Sequence, residues 1–166
     1  VTGMSASKNT GSISAWIKLN TVSASGNIFR MQVDANNAIF VFYHAGDNEL
    51  RAVYKAGGTT NLAVTTDAIE GDGLWHHVAG TWNSSGNVVL YLDGVAKQTT
   101  AISGTFTGSI GSANIGANTT GGGFWNGKID EVGLYNAELT SDNIKDIYNE
   151  GFPKGQGGTS LIGWWK

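Results

Sequence analysis

Alternation of apolar and polar residues, broken by glycine-rich turns, constrains this chain more than any other feature. Successive side chains of a strand point to opposite faces, so a period of two marks a segment with one buried side. Ser12–Leu19 puts Ile13, Ala15, Ile17 and Leu19 on one face, and Ser12, Ser14 and Lys18 on the other. The pattern returns in Asn27–Asp34, Ala38–Tyr43 and Leu50–Lys55, between loops of Asn, Gly and Asp. Trp75–Trp82 and Val88–Asp93 form a hairpin across Asn83–Asn87. Asp93-Gly94 then predicts a type I′ turn into Val95–Thr99, because both residues tolerate positive φ. Asn114–Gly116, Lys128–Tyr135 and Leu161–Trp165 complete the predicted strands.

One helix is expected, near the end. Thr140 suits the N-cap, and Leu139 before it can pack on Ile144 as a hydrophobic staple. Ile144, Ile147 and Tyr148 share a face, Gly151 suits a left-handed C-terminal residue, and Pro153 prevents continuation. Gly155–Gly158 reads as a flexible stretch. There is no internal repeat and no second domain boundary. Short strands at turn-like spacing, followed by one late helix, predict an all-β fold of two stacked antiparallel sheets, a single domain over residues 1–166.

Composition narrows the function classes. With 40% hydrophobic and 14% charged residues among 166, the chain can bury a core and is not a disordered polymer. Its 25 glycines and single proline suit many tight turns. Ten basic against thirteen acidic residues give a net charge of −3 with no basic run, so no nucleic-acid partner is expected. No stretch of about 18 apolar residues exists, and no membrane insertion is expected. Without cysteine there is no disulfide, no thiolate metal site and no cysteine nucleophile. The chain opens at Val1 rather than Met, which suits a processed or excised end.

Three segments carry a family resemblance. They are Ser12-Ile13-Ser14-Ala15-Trp16-Ile17-Lys18; then Trp75–Trp82 followed by Leu90-Tyr91-Leu92-Asp93-Gly94; then Phe124-Trp125-Asn126-Gly127-Lys128-Ile129-Asp130-Glu131-Val132, running into Tyr135-Asn136. In this order, across residues 10–150, they resemble the laminin-G-like jelly-roll domains of the concanavalin A-like lectin/glucanase superfamily. The resemblance implies a two-sheet antiparallel jelly-roll sandwich with one short C-terminal helix. Trp16, Trp75, Trp82 and Trp125 are then expected to fill the gap between the sheets. Leu161–Lys166 resembles the strand that usually opens such a domain. Two readings stay open for it: a fragment cut from a longer, repeating protein, or a strand taking the place of a missing first strand, within the chain or in a neighbour.

Catalytic constellations are missing from the sequence. Glucanases of the superfamily carry Glu-x-Asp-x-x-Glu on one strand. Here Glu70-Gly71-Asp72 begins that way, but Trp75 stands where the last Glu belongs. Adjacent Asp130 and Glu131 are expected on opposite strand faces, so not as a cooperating pair. His44, His76 and His77 have no nucleophile elbow beside them, and structural roles are expected for the last two. The chain is therefore read as a non-enzyme.

Binding offers more. Asp130 is expected to share a face with Val132 and Leu134, where a carboxylate needs compensation by an N–H donor or by a hard cation such as Ca²⁺. Asp34, in the loop Asp34-Ala35-Asn36-Asn37, is a second candidate metal ligand. Relatives with this sandwich often hold calcium. For a sugar, which needs flat aromatic rings beside planar polar groups, the candidates are Phe42, Tyr43, His44, Asp47 and Asn48 on one side. Asn118 and Phe124 lie in the loop before Trp125, whose ring the family pattern assigns to the core. Asn83-Ser84-Ser85 and Asn118-Thr119-Thr120 match the glycosylation sequon, a weak signal.

The leading expectation is a non-catalytic binding or adhesion module that recognises carbohydrate, on an extracellular, cell-surface or virion-surface protein. The alternative is a structural or protein-interaction domain (virion decoration, tail fibre or adhesin) without a sugar site. Self-association through the edge strand Leu161–Trp165 belongs with that alternative.

Overall fold

The computed structural model describes residues 4, 7–20, 24–67, 69, 72–155 and 161–166. Among these residues eleven strands follow one another as β1 (Thr10–Leu19), β2 (Gly26–Asp34), β3 (Asn37–His44), β4 (Glu49–Ala56), β5 (Thr59–Thr65), β6 (His76–Asn83), β7 (Asn87–Leu92), β8 (Val95–Ala101), β9 (Ser112–Ile115), β10 (Gly127–Tyr135) and β11 (Leu161–Trp165). One helix, α1 (Ser141–Glu150), precedes the last strand. A six-stranded sheet has the order β11-β10-β1-β6-β7-β8, and a five-stranded sheet the order β5-β4-β3-β2-β9. All pairings are antiparallel. This is the expected jelly-roll sandwich.

The inner faces meet in a core built from the apolar half of each alternating strand. Ile13 and Ile17 of β1, Met31 of β2, Ile39 and Val41 of β3, and Leu90 of β7 are all buried in it. Trp82 is its largest side chain, and its indole Nε1 donates to the Ser7 carbonyl at 2.6 Å. Along one side the sheets are joined by side chains: Thr100 Oγ1 donates to the Leu62 carbonyl (2.8 Å), and Gln98 Oε1 accepts from Val64 N (2.5 Å). The opposite side, between the edge strands β9 and β11, holds an apolar cavity of about 180 Å³ lined by Met4, Phe29, Ala113, Asn114, Ile115 and Trp165.

A second core lies outside the sandwich. The outward residues Ala79, Val89, Tyr91 and Tyr135 of the six-stranded sheet pack against Leu139, Ile144 and Ile147. The helix is stopped and started locally, as its sequence requires. Thr140 Oγ1 accepts from Asn143 N, Asn143 Oδ1 accepts from Thr140 N, and Gly151 closes the last turn at φ 79°. Because α1 and the segments flanking it cover this face, Ser12 and Ser14 are buried rather than outward and wet. Ser12 bridges the layers: its Oγ donates to the Ala137 carbonyl and accepts from Leu139 N, each at 2.8 Å.

Other departures from expectation have local causes. Strand β5 is not evident in the sequence because Asn61 and Thr65 are buried polar residues that mask the alternation. Asn61 is satisfied there by donating to the carbonyls of Tyr54 and Ser103, both at 2.9 Å. Trp75 precedes β6 and is 41% exposed, so it does not fill the sandwich. Trp16 lies on the helix-covered side, stacked on Tyr148 with centroids 5.7 Å apart. Asp93 and Gly94 do take positive φ, 50° and 77°, as the type I′ turn demands.

The expected alternation of β10 fails at a bulge. Ser14 pairs with Gly133 but Trp16 pairs with Asp130, so Ala15 faces two residues, and Glu131 adopts φ 50°. Ile129, Val132 and Leu134 all pack on the inner core, whereas Asp130 stands beside outward Trp16. Asp130 therefore does not share the buried face of Val132 and Leu134. Strand β11 pairs with β10 of its own chain, and Trp165 lies over Gly163, where a Cβ would sit 2.1 Å from the indole. Most of Gly155–Gly158 lies outside the described residues.

Candidate functional site

With α1 on the six-stranded sheet, the outer face of the five-stranded sheet has no covering helix among the described residues. Directly paired residues of antiparallel strands share a face, which places its side chains in rows. One row runs Asn114, Arg30, Phe40, Val53 and Leu62 across β9, β2, β3, β4 and β5. The next runs Asn27, Phe42, Arg51 and Val64, and then come His44 and Glu49. On the other side of the first row lie Ser112, Gln32, Ala38, Lys55 and Thr60.

Aromatic rings meet at an angle between these rows, and a guanidinium lies over a ring within each of two rows. Phe40 and Phe42 have centroids 5.3 Å apart, and His44 meets Phe42 edge-on at 6.1 Å. Arg30 lies over Phe40 at 4.2 Å and Arg51 over Phe42 at 5.8 Å. Arg51 Nε donates to Glu49 (2.8 Å) and its Nη2 to Asp47, while His44 Nδ1 lies 3.1 Å from Asp47 Oδ2. Arg30 instead donates from Nε to the uncharged Gln32 Oε1 at 2.8 Å.

The loop after β9 walls this face on one side. Asn118 Oδ1 accepts from Thr120 N (3.0 Å) and Gly122 N (2.8 Å), folding the loop around its own side chain. Asn114 Nδ2 donates to the Asn118 carbonyl, and Asn27 N to the Gly123 carbonyl, at 2.8 and 2.9 Å. These bonds fasten the loop to β9 and β2. Arg30, Gln32, Ala35, Asn118, Thr119 and Thr120 then line a cleft of about 340 Å³. Thr119 Oγ1 is buried in the loop without a hydrogen-bond partner. Farther along, Phe124 is 67% exposed.

The structure brings Phe42, His44 and Asp47 onto one face, with Asn118 and Phe124 in the loop beside it. Tyr43 is different: it points into the core at 1% exposure, and its hydroxyl donates to Asn48, which holds a positive φ of 57°. Tyr43 is therefore a core residue, and Asn48 anchors its hydroxyl at the turn. Arg30, Gln32, Phe40 and Arg51 join the site unannounced. Only Phe40 is signalled in the sequence, two residues before Phe42 on the same strand face.

The two candidate metal ligands belong to different sheets. Asp34 closes the β2–β3 hairpin, its Oδ1 accepting from Asn36 N (2.8 Å) and Asn37 Nδ2 (3.1 Å). Those bonds hold its carboxyl below the usual range, the Asn36 contact most. Asp130 Oδ1 accepts from Glu131 N at 2.8 Å. The bulge lets Asp130 and Glu131 line one cavity of about 150 Å³ with Trp16, Trp75 and Gly151, rather than diverge to opposite faces. Among the described residues, no three His, Asp or Glu side chains gather as a metal cage. Glu70 and Gly71 lie outside the described residues.

The two histidines of β6 part as their alternation requires. His76 bridges Asp93 Oδ2 through Nδ1 (2.9 Å) and Asp72 Oδ2 through Nε2 (2.8 Å) at the sheet end. Burial opposes its charge, but the bonds to Asp93 and Asp72 outweigh it and raise its pKa. His77 lies under the helix side, packed against both Trp16 and Tyr148, with neither ring nitrogen hydrogen-bonded. Burial brings its pKa down to about 4, against a small opposing pull from Asp93.

Solved structures share this architecture. Domain 4 of AbnA, a GH43 extracellular arabinanase from Geobacillus stearothermophilus, solved in complex with arabinotriose, is 25% identical with a TM-score of 0.70, covering 86% of this chain and 68% of that one. The heptameric SAP-like pentraxin of Limulus polyphemus is 20% identical with a TM-score of 0.69, covering 94% and 76%. The CBM40 domain of the Ruminococcus gnavus IT-sialidase has a TM-score of 0.70 at 12% identity, covering 86% and 84%. No curated protein sequence matches. A laminin-G-type family model matches residues 2–145, and the chain belongs to the concanavalin A-like lectin/glucanase superfamily.

Proposed function

We propose that this chain is a non-catalytic carbohydrate-binding module whose ligand lies across the outer face of the five-stranded sheet, in an extracellular, cell-surface or virion-surface protein. One observation carries the reading. A sheet face without a covering helix presents Phe40 and Phe42 among Arg30, Gln32, Arg51 and His44, the combination of flat rings and planar hydrogen-bonding groups that a pyranose or furanose requires. The likeness to an arabinanase domain solved with arabinotriose supports the same class of ligand. Asp47 and Glu49, the carboxylates of this face, are both engaged by Arg51, which argues against either serving as a free acid or base.

A glycan array run with Ca²⁺ and with chelator tests the reading and the expected calcium together. Phe42→Ala should weaken the best glycan about tenfold or more, because the ring and the guanidinium stacked on it are lost together. A blank array in both conditions would sink the proposal, as would a Phe42→Ala variant that binds like the parent. Reducing-end assays on the bound glycan should stay flat.

The second reading, a protein-interaction domain, draws on the opposite edge. On the free strands β9 and β11, Ile115 is exposed at the apolar cavity and Trp164 is exposed on the other face of its strand, stacked on the exposed Phe152. Light scattering decides it: a concentration-dependent dimer lost in Trp164→Ser would favour that role.

A further inference from the structure

The two arginines of the platform are placed alike and partnered differently. Each guanidinium lies over a phenylalanine, and each uses Nε to hold a side chain two residues away on the same strand. Arg51 spends its charge on Glu49 and Asp47. None of the ion pairs among the described residues includes Arg30. Its partner is the amide of Gln32, which orients the guanidinium plane without neutralising it.

A cation partly withdrawn from water and left without an anion is a costly arrangement in a folded protein. Burial disfavours the charged form of Arg30, lowering its pKa, although an arginine stays protonated. The stacking on Phe40 and the Nε bond fix the plane, so the two Nη groups form a fork that already has its orientation. Arg30 lines the cleft formed with Ala35, Asn118, Thr119 and Thr120, where the exposed Thr120 and the amide of Gln32 can meet sugar hydroxyls. A guanidinium fork matches a carboxylate in two parallel, charge-assisted hydrogen bonds.

We infer that the module selects an acidic saccharide, with the carboxylate of a sugar acid seated on Arg30 and the sugar ring in the cleft beside Thr119 and Thr120. This inference rests on the carbohydrate-binding reading and names the class of sugar. A densely sulfated polymer fits less well, because the net charge is −3 and, with Arg51 paired to Asp47 and Glu49, Arg30 and Lys55 do not form a basic track on this face.

Matched probes separate the possibilities. Trigalacturonate is compared with its methyl ester and sialyllactose with lactose, and 6-sulfated lactose reads sulfate against carboxylate. In titrations at low salt, a carboxylated glycan should bind about tenfold or more tightly than its neutral counterpart. Arg30→Gln, verified as folded by circular dichroism, should bring that ratio close to one. Arg30→Lys should restore only part of it, since an ammonium lacks the fork. Should Arg30→Gln fail to fold, the parent's own ratio together with Arg30→Lys decides. Equal binding of acid and neutral forms, or a ratio untouched by Arg30 substitution, overturns the inference and leaves the platform standing. Tighter binding of the sulfate ester overturns the carboxylate assignment. If no glycan of any kind binds, both this inference and the function beneath it fall.

Discussion

The outer faces of the two sheets begin from the same strand chemistry and end in opposite states. On the six-stranded sheet, Ser12, Ser14, His77 and Thr81 occupy outward positions, yet all four are buried. On the five-stranded sheet, Phe40 and Phe42 occupy outward positions and stay partly exposed. Polar residues are sealed and aromatic ones left accessible, the reverse of what polarity alone suggests. The lesson is that a sheet's second face is decided by whether another element lands on it. Here a ten-residue helix lands on one side, and among the described residues no helix lands on the other.

The strongest way to break the contrast is to loosen the cover. Ile144→Ala removes a fully buried side chain from the second core and should cost about 2–4 kcal/mol in urea unfolding. A loss below about 1 kcal/mol would mean that α1 is a decoration, not a layer. Such a result would also make the bare face of the other sheet unremarkable.

Acidity should separate the two faces of β6 next. A group whose folded pKa is lowered favours its neutral form, so the contribution of His77 is present above about pH 6.5 and is lost as pH falls toward about 4. His76 runs the other way: its raised pKa gives stabilisation that is full below about pH 6.5 and is lost as pH rises through the folded value. Urea midpoints followed from pH 4 to 8 should therefore show less loss at the acid end in His77→Phe. In His76→Gln the decline toward the alkaline end should flatten. Parallel curves for parent and variants would refute the assignment.

The smallest effect sharpens the comparison. Phe42→Ala on the bare face should change stability by less than about 1 kcal/mol, while its glycan binding collapses. A destabilisation rivalling Ile144→Ala would make the aromatic row a third core instead of a platform.

Much of the fold was legible because its signals are local. The Asp93-Gly94 turn, the Thr140 cap with its Leu139 staple position, and the inward set Ile13, Ala15 and Ile17 depend on residues within a few positions of one another. The misreadings share a different cause. Glu131 takes a left-handed conformation at a bulge that exists only opposite Ala15, more than a hundred residues away, and one slipped residue reversed the side on which Asp130 stands. Asn61 sits inside because Tyr54 and Ser103 supply acceptors that its own segment cannot announce. Of the candidate site, Phe42, His44 and Asp47 could be read from one strand and its turn. Tyr43 could be set apart from Phe42 only by the parity of the strand. Arg30 and Gln32 were missed because they belong to the neighbouring strand.

By itself the sequence determined which segments are extended, where the chain turns and which half of most strands faces the core. These follow from steric and hydrophobic preferences that act within a few residues. Tertiary structure decided which second face receives a helix, which carboxylates a bulge gathers and which arginine is left without a counter-ion. Those outcomes depend on groups that are distant along the chain and become neighbours only when the sheets stack, so no local pattern can encode them.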